Sequence, residues 1–509
     1  MSSATKTAPS RPRWVADITR WDFETDVAIV GFGGAGACAA IEAADAGAEV
    51  TLFEVASASG GSTELSSAEV YLGGSGGTRV QRACGYEDST EDMFNYLMAA
   101  GGDLAHEAKV RLYCEESTGH FDWLVSMGVP YKNTEYKERA IMALTDDCLL
   151  YTGSEKCWPF REIAKPCPRG HNLEVEGDNG GPLLMKTLTA QVEKRSIRVE
   201  YNARALTLII NPEGEVLGTV VRIDGEEKNV RARHGVILCA GGFVMNTEML
   251  KQYCPRLVEG PMPIGNPGDT GTGLLMGQAV GGALINMDQH FITLPYYPPS
   301  SLTYGIFVNA QAQRFINEDC YHSRVASSAL DQLGGKTYLI VSAEDYDHPP
   351  FMNAPIVGTG ETIEELAEEV GLHPGMLRHT VEFYSENAAR GEDPLFHKSP
   401  EWLKAMPPPY AALDCTLGEG AIYAAFTLGG LDTQTTGEVL TTEKQVIPGL
   451  YAAGRTTCGI PRTAAGYASG LSVGDATFFG RVAGRTCAHR SAPGSAPGSA
   501  PSSAQSSTG

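Results

Sequence analysis

"TDVAIVGFGGAGACAAIEAADAGAEVTLFE", residues 25–54, contains the strongest structural signal in the chain. Its apolar strand runs directly into Gly31, Gly33 and Gly36 in GxGxxG spacing, and a small-residue helix then leads to a second apolar strand. Glu54 ends that second strand 21 residues after Gly33, where a βαβ unit places an acid on the ribose hydroxyls. The glycines allow a tight turn that brings backbone N–H groups against a pyrophosphate at the helix N-terminus. The stretch therefore predicts a dinucleotide site in a Rossmann-type fold.

Four later segments favour FAD over NAD as the dinucleotide. ASGGST (58–63) follows Glu54 closely, and residues 199–221 have the alternation of a β-meander. GVILCAGGF (235–243) and IPGLYAAGR (447–455) are apolar strands that end in small residues. Each segment alone resembles an ordinary core strand, but their order along one chain is typical of flavoproteins with two dinucleotide folds.

Composition restricts the class of partner. The 509-residue chain carries 61 acidic and 39 basic residues, a formal charge of −22. Nucleic acids and anionic membranes require clustered Lys and Arg, so neither is expected as a partner. We find no secretory leader and no apolar run long enough for a membrane span, and the 12 cysteines are scattered singly. These features predict a cytoplasmic protein with no metal site.

Five motifs in one order give the chain a family resemblance. GGST (60–63), CAGGF (239–243), RFINED (314–319), FTLGGL (426–431) and GLYAAGR (449–455) look like the fumarate reductase and 3-ketosteroid dehydrogenase flavoprotein family. The similarity covers residues 24–488. It implies an α/β fold: a Rossmann-type, glutathione-reductase-like FAD-binding domain with an inserted α+β substrate or capping domain.

The resemblance also implies domain bounds and the mode of cofactor attachment. The first part of the FAD-binding domain would span residues 24–285, the inserted catalytic or capping domain 286–425, and the second part 426–490. Residues 491–509 are rich in Ser, Ala, Pro and Gly and are expected to be disordered. No histidine follows GGST where succinate dehydrogenases attach FAD covalently, so the FAD should be bound non-covalently.

The residues expected to contact FAD come from the first glycine turn, the segments after it and the late strand and helix. They are Gly31, Gly33, Gly34, Ala35, Gly36, Glu54, Gly61, Ser62, Thr63, Ala205, Ala240, Gly241, Asp269, Gly454, Arg455, Gly470, Leu471 and Ser472.

Three positions argue against a dicarboxylate substrate. Phe426 stands where fumarate-reducing members carry a histidine, and Tyr467 stands where they carry a carboxylate-binding arginine. Near their catalytic arginine this chain has Tyr321 and His322, although Arg324 two residues later stays a candidate. Loss of a histidine and an arginine converts an anion site into a neutral, hydroxyl-lined site.

A neutral ketone suits these residues. Dehydrogenation beside a carbonyl removes a proton from the α carbon, and preorganised donors stabilise the developing enolate. Tyr467 and a backbone N–H at the helix opening near Gly470 are the candidate donors, and Ser469 and Tyr321 the candidate bases. Since an ordinary tyrosine has a pKa of about 10, either base needs a relay or a perturbed pKa.

This set most resembles the 3-ketosteroid Δ4-(5α)-dehydrogenases of steroid catabolism. The resemblance implies that Tyr467 holds the C3 carbonyl, that Ser469 with Tyr321 removes the C4 proton, and that flavin N5 receives the C5 hydride. A steroid would be the substrate, and the electron acceptor is unidentified. The alternatives are a Δ1-dehydrogenase, an enoate reductase of the fumarate or urocanate kind, and a non-catalytic flavoprotein.

Two simpler explanations stay open for the hydroxyls. Tyr321 could be a core ring whose hydroxyl meets the backbone, as buried tyrosines usually do. Ser469 could be an N-cap for the helix that follows it.

Overall fold

In the computed structural model, residues 11–351, 353–418 and 421–490 are described. The tail predicted to be disordered, 491–509, lies outside the described residues. The strands are β1 (Arg13–Trp14), β2 (Phe23–Val30), β3 (Val50–Phe53), β4 (Val70–Tyr71), β5 (Leu149–Leu150), β6 (Gly170–His171), β7 (Arg198–Glu200), β8 (Arg204–Ile210), β9 (Val216–Ile223), β10 (Glu226–Leu238), β11 (Met262–Pro263), β12 (Leu284–Ile285), β13 (His290–Thr293), β14 (Ile306–Asn309), β15 (Thr337–Ser342), β16 (Ile356–Gly360), β17 (Tyr410–Asp414), β18 (Ala424–Thr427), β19 (Gly430–Leu431), β20 (Glu438–Leu440) and β21 (Val446–Ala452).

The α-helices pack on the faces of the sheets and form several of the connections. They are α1 (Gly34–Asp45), α2 (Gly61–Glu64), α3 (Arg79–Ala83), α4 (Thr90–Gly101), α5 (Glu107–Ser126), α6 (Phe160–Ile163), α7 (Gly180–Lys194), α8 (Thr247–Tyr253), α9 (Thr272–Ala279), α10 (His322–Leu330), α11 (Ile363–Val370), α12 (Pro374–Ala388) and α13 (Leu471–Ala488).

The largest sheet has the order β1-β8-β9-β10-β2-β3-β7, and β21 pairs with both β10 and β20. Strands β7, β3, β2, β10 and β21 are mutually parallel where they pair. The predicted meander, residues 199–221, contains β8 and most of β9, which pair antiparallel, and the first half of β10 extends this antiparallel set beyond the predicted range. Ligand sites of parallel sheets lie beyond the carboxyl ends of the strands. A ligand site is therefore expected beyond the ends of β2, β10 and β21.

The predicted βαβ unit is β2, α1 and β3. Gly31 directly follows β2, and its backbone φ is +102°, a conformation that glycine adopts without strain. A Cβ on Gly36 would lie 1.9 Å from the Gly31 carbonyl oxygen, so α1 can follow the turn closely only with glycine there. Gly33 is the N-cap of α1, with no side chain capping the helix.

A separate sheet is built from strands between residues 306 and 414. Strands β14, β15, β17 and β16 form an antiparallel sheet in that order. Helices α11 and α12 pack on it around a core that includes Ile340, Leu366 and Leu377. Helix α11 begins with a capping box between Thr362 and Glu365.

Within the described ranges, no helix combines the length and the apolarity that a membrane span requires. In the same part of the chain, no three potential metal-ligating side chains come together.

Candidate active site

A long cleft opens where β2, β10 and β21 end and α1 and α13 begin. It contains about 1720 Å³ of empty space, including the part that is open to solvent. All the residues predicted to contact FAD line it except Gly36 and Leu471. Gly36 is packed against the glycine turn, and Leu471 is buried in the core beneath the cleft.

The features at one end of the cleft fit an adenosine and pyrophosphate. Glu54, at the end of β3, accepts hydrogen bonds from the backbone N–H groups of Phe32 (2.7 Å) and Ala56 (2.8 Å). Its carboxylate thus holds the glycine turn as well as facing the ribose position. The uncapped N-terminus of α1 opens on the same cleft, which suits a diphosphate. The residues present therefore fit FAD.

Asp269 joins three cleft segments. It accepts hydrogen bonds from Ser62 Oγ (2.6 Å) and the Gly242 N–H (3.2 Å), and it forms an ion pair with Arg455 Nη2 (2.5 Å). The Arg455 guanidinium also lies 5.2 Å from the Phe426 ring centroid. This cation is therefore neutralised within the wall of the cleft.

At the other end of the cleft, two hydroxyl pairs lie side by side. Tyr321 Oη and Ser469 Oγ are 2.6 Å apart, and Tyr467 Oη donates to Ser472 Oγ at 2.8 Å. The rings of Tyr321 and Tyr467 stack with their centroids 6.3 Å apart. Tyr467 and Ser469 line the cleft, whereas Tyr321 lies just behind Ser469. The structure thus brings together all three predicted catalytic residues.

Burial sets the protonation of the two tyrosines. It raises the pKa of Tyr467 to about 12, and it raises the pKa of Tyr321 well above the usual range. Both hydroxyls therefore stay protonated at neutral pH and can donate hydrogen bonds. Because neither tyrosine is ionised, neither can act as a base without giving up its own proton.

The structure contradicts the two simpler explanations, in which Ser469 is a helix N-cap and the Tyr321 hydroxyl bonds to the backbone. Gly470, in the left-handed conformation, is the N-cap of α13, so Ser469 does not cap that helix. Ser469 Oγ instead contacts Tyr321 Oη, and the Tyr321 hydroxyl has this side-chain partner rather than a backbone one.

His322 and Arg324 do not reach the cleft. His322 Nδ1 lies 2.5 Å from Thr293 Oγ1, and burial lowers the pKa of His322 to about 3, so the ring is neutral. The Arg324 guanidinium lies 5.2 Å from the Phe160 ring centroid and donates to the Ala465 carbonyl at 3.5 Å. Arg324 therefore does not serve as a substrate cation here.

An aromatic wall covers the same end of the cleft. Phe291 and Phe426 stack with centroids 4.7 Å apart and an interplanar angle of 19°, and Phe291 lies 4.5 Å from Tyr467. Phe291 belongs to the aromatic-rich segment 290–308, whereas its neighbours Tyr296 and Tyr297 contact the half-buried Arg139. The sequence alone does not indicate Phe291, because sequence does not separate pocket rings from core rings.

Glu69 is a further cleft residue that the sequence did not indicate. It lies just before β4 and is 1% exposed. Burial raises the pKa of its carboxyl well above the usual range, and the nearby Glu155 and Asp178 charges add to this. An acidic residue beside an apolar strand is usually solvent-exposed, so no sequence pattern identifies Glu69 as a cleft residue.

The comparisons with known proteins agree with this geometry. A family model described as "FAD binding domain" matches residues 26–470. The solved 3-ketosteroid-Δ4-(5α)-dehydrogenase from Rhodococcus jostii RHA1, in complex with 4-androstene-3,17-dione, is 41% identical with a TM-score of 0.89, covering 94% of this chain and 100% of that one.

Two curated relatives are more distant. The 3-oxo-5-alpha-steroid 4-dehydrogenase of Comamonas testosteroni is 27% identical over 86% of this chain and 94% of its own length. The fumarate reductase (cytochrome) of Shewanella frigidimarina is 29% identical over 90% of this chain and 76% of its own length. The chain is thus an FAD-dependent oxidoreductase that belongs to the FAD-binding family of fumarate reductase and 3-ketosteroid dehydrogenase flavoproteins.

Proposed function

We propose that this protein dehydrogenates a 3-ketosteroid, forming the C4–C5 double bond of a 5α-reduced substrate. The observation that carries the proposal is the Tyr321–Ser469 hydroxyl pair, 2.6 Å apart, beside Tyr467 and an aromatic wall. The likeness to a steroid dehydrogenase solved with a ketosteroid supports the same substrate class.

Each hydroxyl has a role in this chemistry. With substrate bound, Tyr467 Oη donates its proton to the C3 ketone oxygen instead of to Ser472 Oγ, and this stabilises the enolate that develops as the C4 proton leaves. Ser469 Oγ accepts that proton while its own proton moves to Tyr321 Oη, and Tyr321 releases its own hydroxyl proton to water; the transfer from Ser469 to Tyr321 needs no movement, since the two oxygens are already at hydrogen-bond distance. When bound, FAD supplies the acceptor for the C5 hydride.

The electrostatics of the cleft disfavour a dicarboxylate. Among the described residues, the basic side chains that line the cleft are Arg204 and Arg455. Arg204 belongs to β8 at the adenosine end, and Arg455 is paired with Asp269. A dicarboxylate needs cations at both carboxylates, whereas a ketone needs only neutral donors.

We also propose the domain division 24–285, 286–425 and 426–490, with the middle part capping the cleft. Phe291 and Tyr321, from that middle part, lie beside Tyr467 and Ser469 from the last part. Such a cap would exclude water from the reaction. The FAD is proposed to be non-covalent, since no histidine lines the cleft in the described part of the chain.

An enoate reductase is the second candidate, because a fumarate reductase is among the relatives. Anaerobic mixing experiments separate the two. Oxidised enzyme mixed with a 5α-3-ketosteroid should lose the absorption of oxidised flavin and yield the Δ4 product, whereas a Δ1 product would correct the regiochemistry. Reoxidation of reduced enzyme by fumarate, with no reaction of oxidised enzyme with steroid, would contradict the proposal. No reaction with either compound would favour a non-catalytic flavoprotein.

A further inference from the structure

The segment Thr152–Gly153–Ser154–Glu155, which follows β5, lies behind the catalytic hydroxyls. Its polar composition is typical of an exposed turn. In the structure Thr152 is 1% exposed, Ser154 3% and Glu155 2%. Three buried polar side chains among four residues each require hydrogen-bond partners, and those partners include the backbones of Ser469 and Tyr321.

Thr152 holds Ser469 by two hydrogen bonds. The Ser469 N–H donates to the Thr152 carbonyl at 2.9 Å, and Thr152 Oγ1 donates to the Ser469 carbonyl at 3.1 Å. The peptide groups on both sides of the Ser469 Cα are therefore fixed, which restricts where its hydroxyl can lie.

Ser154 holds the other member of the pair. Ser154 Oγ accepts a hydrogen bond from the Tyr321 N–H at 3.0 Å, at the start of α10. The Ser154 N–H in turn donates to Tyr96 Oη at 2.8 Å, which anchors the segment to α4.

Gly153 and Glu155 keep the segment in place. A Cβ on Gly153 would lie 2.4 Å from Tyr96 Oη and 2.9 Å from the Ala468 side chain, so only glycine permits this approach to the residue before Ser469. Glu155 accepts hydrogen bonds from the Gly153 N–H (3.0 Å) and from Tyr71 Oη (2.8 Å).

We propose that Thr152 and Ser154 are positioning residues that set the distance between Ser469 Oγ and Tyr321 Oη for proton transfer. Ser469 and Tyr321 belong to segments 148 residues apart, and residues 152–155 contact the backbone of both. Proton transfer needs the two oxygens within about 2.6–3.2 Å, and a displacement of about 1 Å can lower a rate roughly 100-fold.

The inference rests on the proposed function, and Thr152→Val tests it because valine matches the shape of threonine but lacks the hydroxyl. We expect kcat with the ketosteroid to fall about 10- to 100-fold, while KM and the dissociation constant for FAD change less than about twofold. Thr152→Ser should restore kcat, and Ser154→Ala should resemble Thr152→Val. Thr145→Val, at an exposed threonine in the loop before β5, is the matched control and should behave as wild type.

The outcomes are distinct. Wild-type kcat in both Thr152→Val and Ser154→Ala would overturn the positioning role while leaving the proposed function intact. A loss of FAD affinity in step with kcat, or a failure of Thr152→Ser to restore kcat, would also overturn it, because the role would then be general stability. No turnover of ketosteroid by the wild-type protein would contradict the proposed function and with it this role.

Discussion

Tyr321 Oη lies 2.6 Å from Ser469 Oγ, although 148 residues separate the two in sequence. Tyr321 is the N-cap residue of α10 in the middle part of the chain, and Ser469 directly precedes the N-cap of α13. This contact joins Ser469 in the wall of the cleft to a residue that lies behind that wall. Since neither side chain is charged, the pair can move a proton only as a relay, with each hydroxyl donating as it accepts.

Removal of either hydroxyl should stop the relay. Ser469→Ala and Tyr321→Phe should each lower kcat with a 5α-3-ketosteroid about 100- to 10,000-fold, the range typical of general acid–base groups. Retention of FAD, read from the absorption spectrum of the purified protein, controls for folding. Full turnover by both variants would remove the relay from the mechanism.

Tyr467→Phe should weaken stabilisation of the enolate. Loss of one preorganised donor lowers kcat by about 100- to 1,000-fold, and the double variant with Ser469→Ala should lose less than the product of the two effects because both act on one step. Steady-state kinetics of the single and double variants check this. Multiplicative losses would indicate that the two residues act in separate steps.

The pH dependence of turnover should reflect the protonated state of Tyr467. Burial raises its pKa to about 12, so the hydroxyl stays a donor past pH 10, where an ordinary tyrosine ionises. We expect kcat/KM to show no tyrosine-dependent decrease up to about pH 10. A decrease at lower pH that disappears in Tyr467→Phe would contradict this assignment.

Glu54→Ala should lower FAD affinity without a specific effect on the catalytic hydroxyls. One carboxylate oxygen accepts a hydrogen bond from the Phe32 N–H in the glycine turn (2.7 Å), and the other accepts one from the Ala56 N–H (2.8 Å). Loss of a hydrogen-bonded charge costs about 1.5–3 kcal/mol, which is about 10- to 100-fold in the dissociation constant. Titration of the apoprotein with FAD measures this dissociation constant. Glu227→Ala, on an exposed part of β10, is the control. Unchanged affinity would rule out this role.

Asp475 should make stability depend on pH between about 4 and 6. The carboxyl is buried in α13 and accepts a hydrogen bond from the Ile460 N–H, and burial raises its pKa to about 6. The folded state therefore binds this proton more tightly than the unfolded state, and the contribution to stability is lost as pH rises through 6. The change is about 3 kcal/mol.

Denaturant unfolding of wild type and Asp475→Asn at several pH values checks this. The difference in unfolding free energy between the two proteins should change with pH in that window and be constant above it. A constant difference from pH 4 to pH 7 would show that Asp475 titrates normally.

The local signals in the sequence predicted the nucleotide-binding part of the fold closely. The glycine turn, its helix and the second strand appear as β2, α1 and β3, and GLYAAGR ends β21. These elements were predictable because glycine spacing and apolar runs act on neighbouring residues. The FAD cofactor was confirmed by the family match.

The catalytic end was predictable only in part. The resemblance indicated Tyr321, Tyr467 and Ser469, but Thr152, Ser154 and Glu69 carried no signal. A polar side chain in a loop is normally solvated, and only long-range packing can bury it and supply its partners. The directions of His322 and Arg324, away from the cleft, likewise depend on how α10 packs.

The sequence by itself determined that a dinucleotide binds at the turn after β2, because glycine conformation and helix dipoles are local properties. The family resemblance also predicts that Phe426 and Tyr467 stand where fumarate-type relatives carry a histidine and an arginine. Only the tertiary structure decided that Ser469 meets Tyr321, that Arg455 is neutralised by Asp269, and that residues 152–155 contact both members of the hydroxyl pair. Such contacts join distant segments, and their geometry follows from the packing of the whole chain.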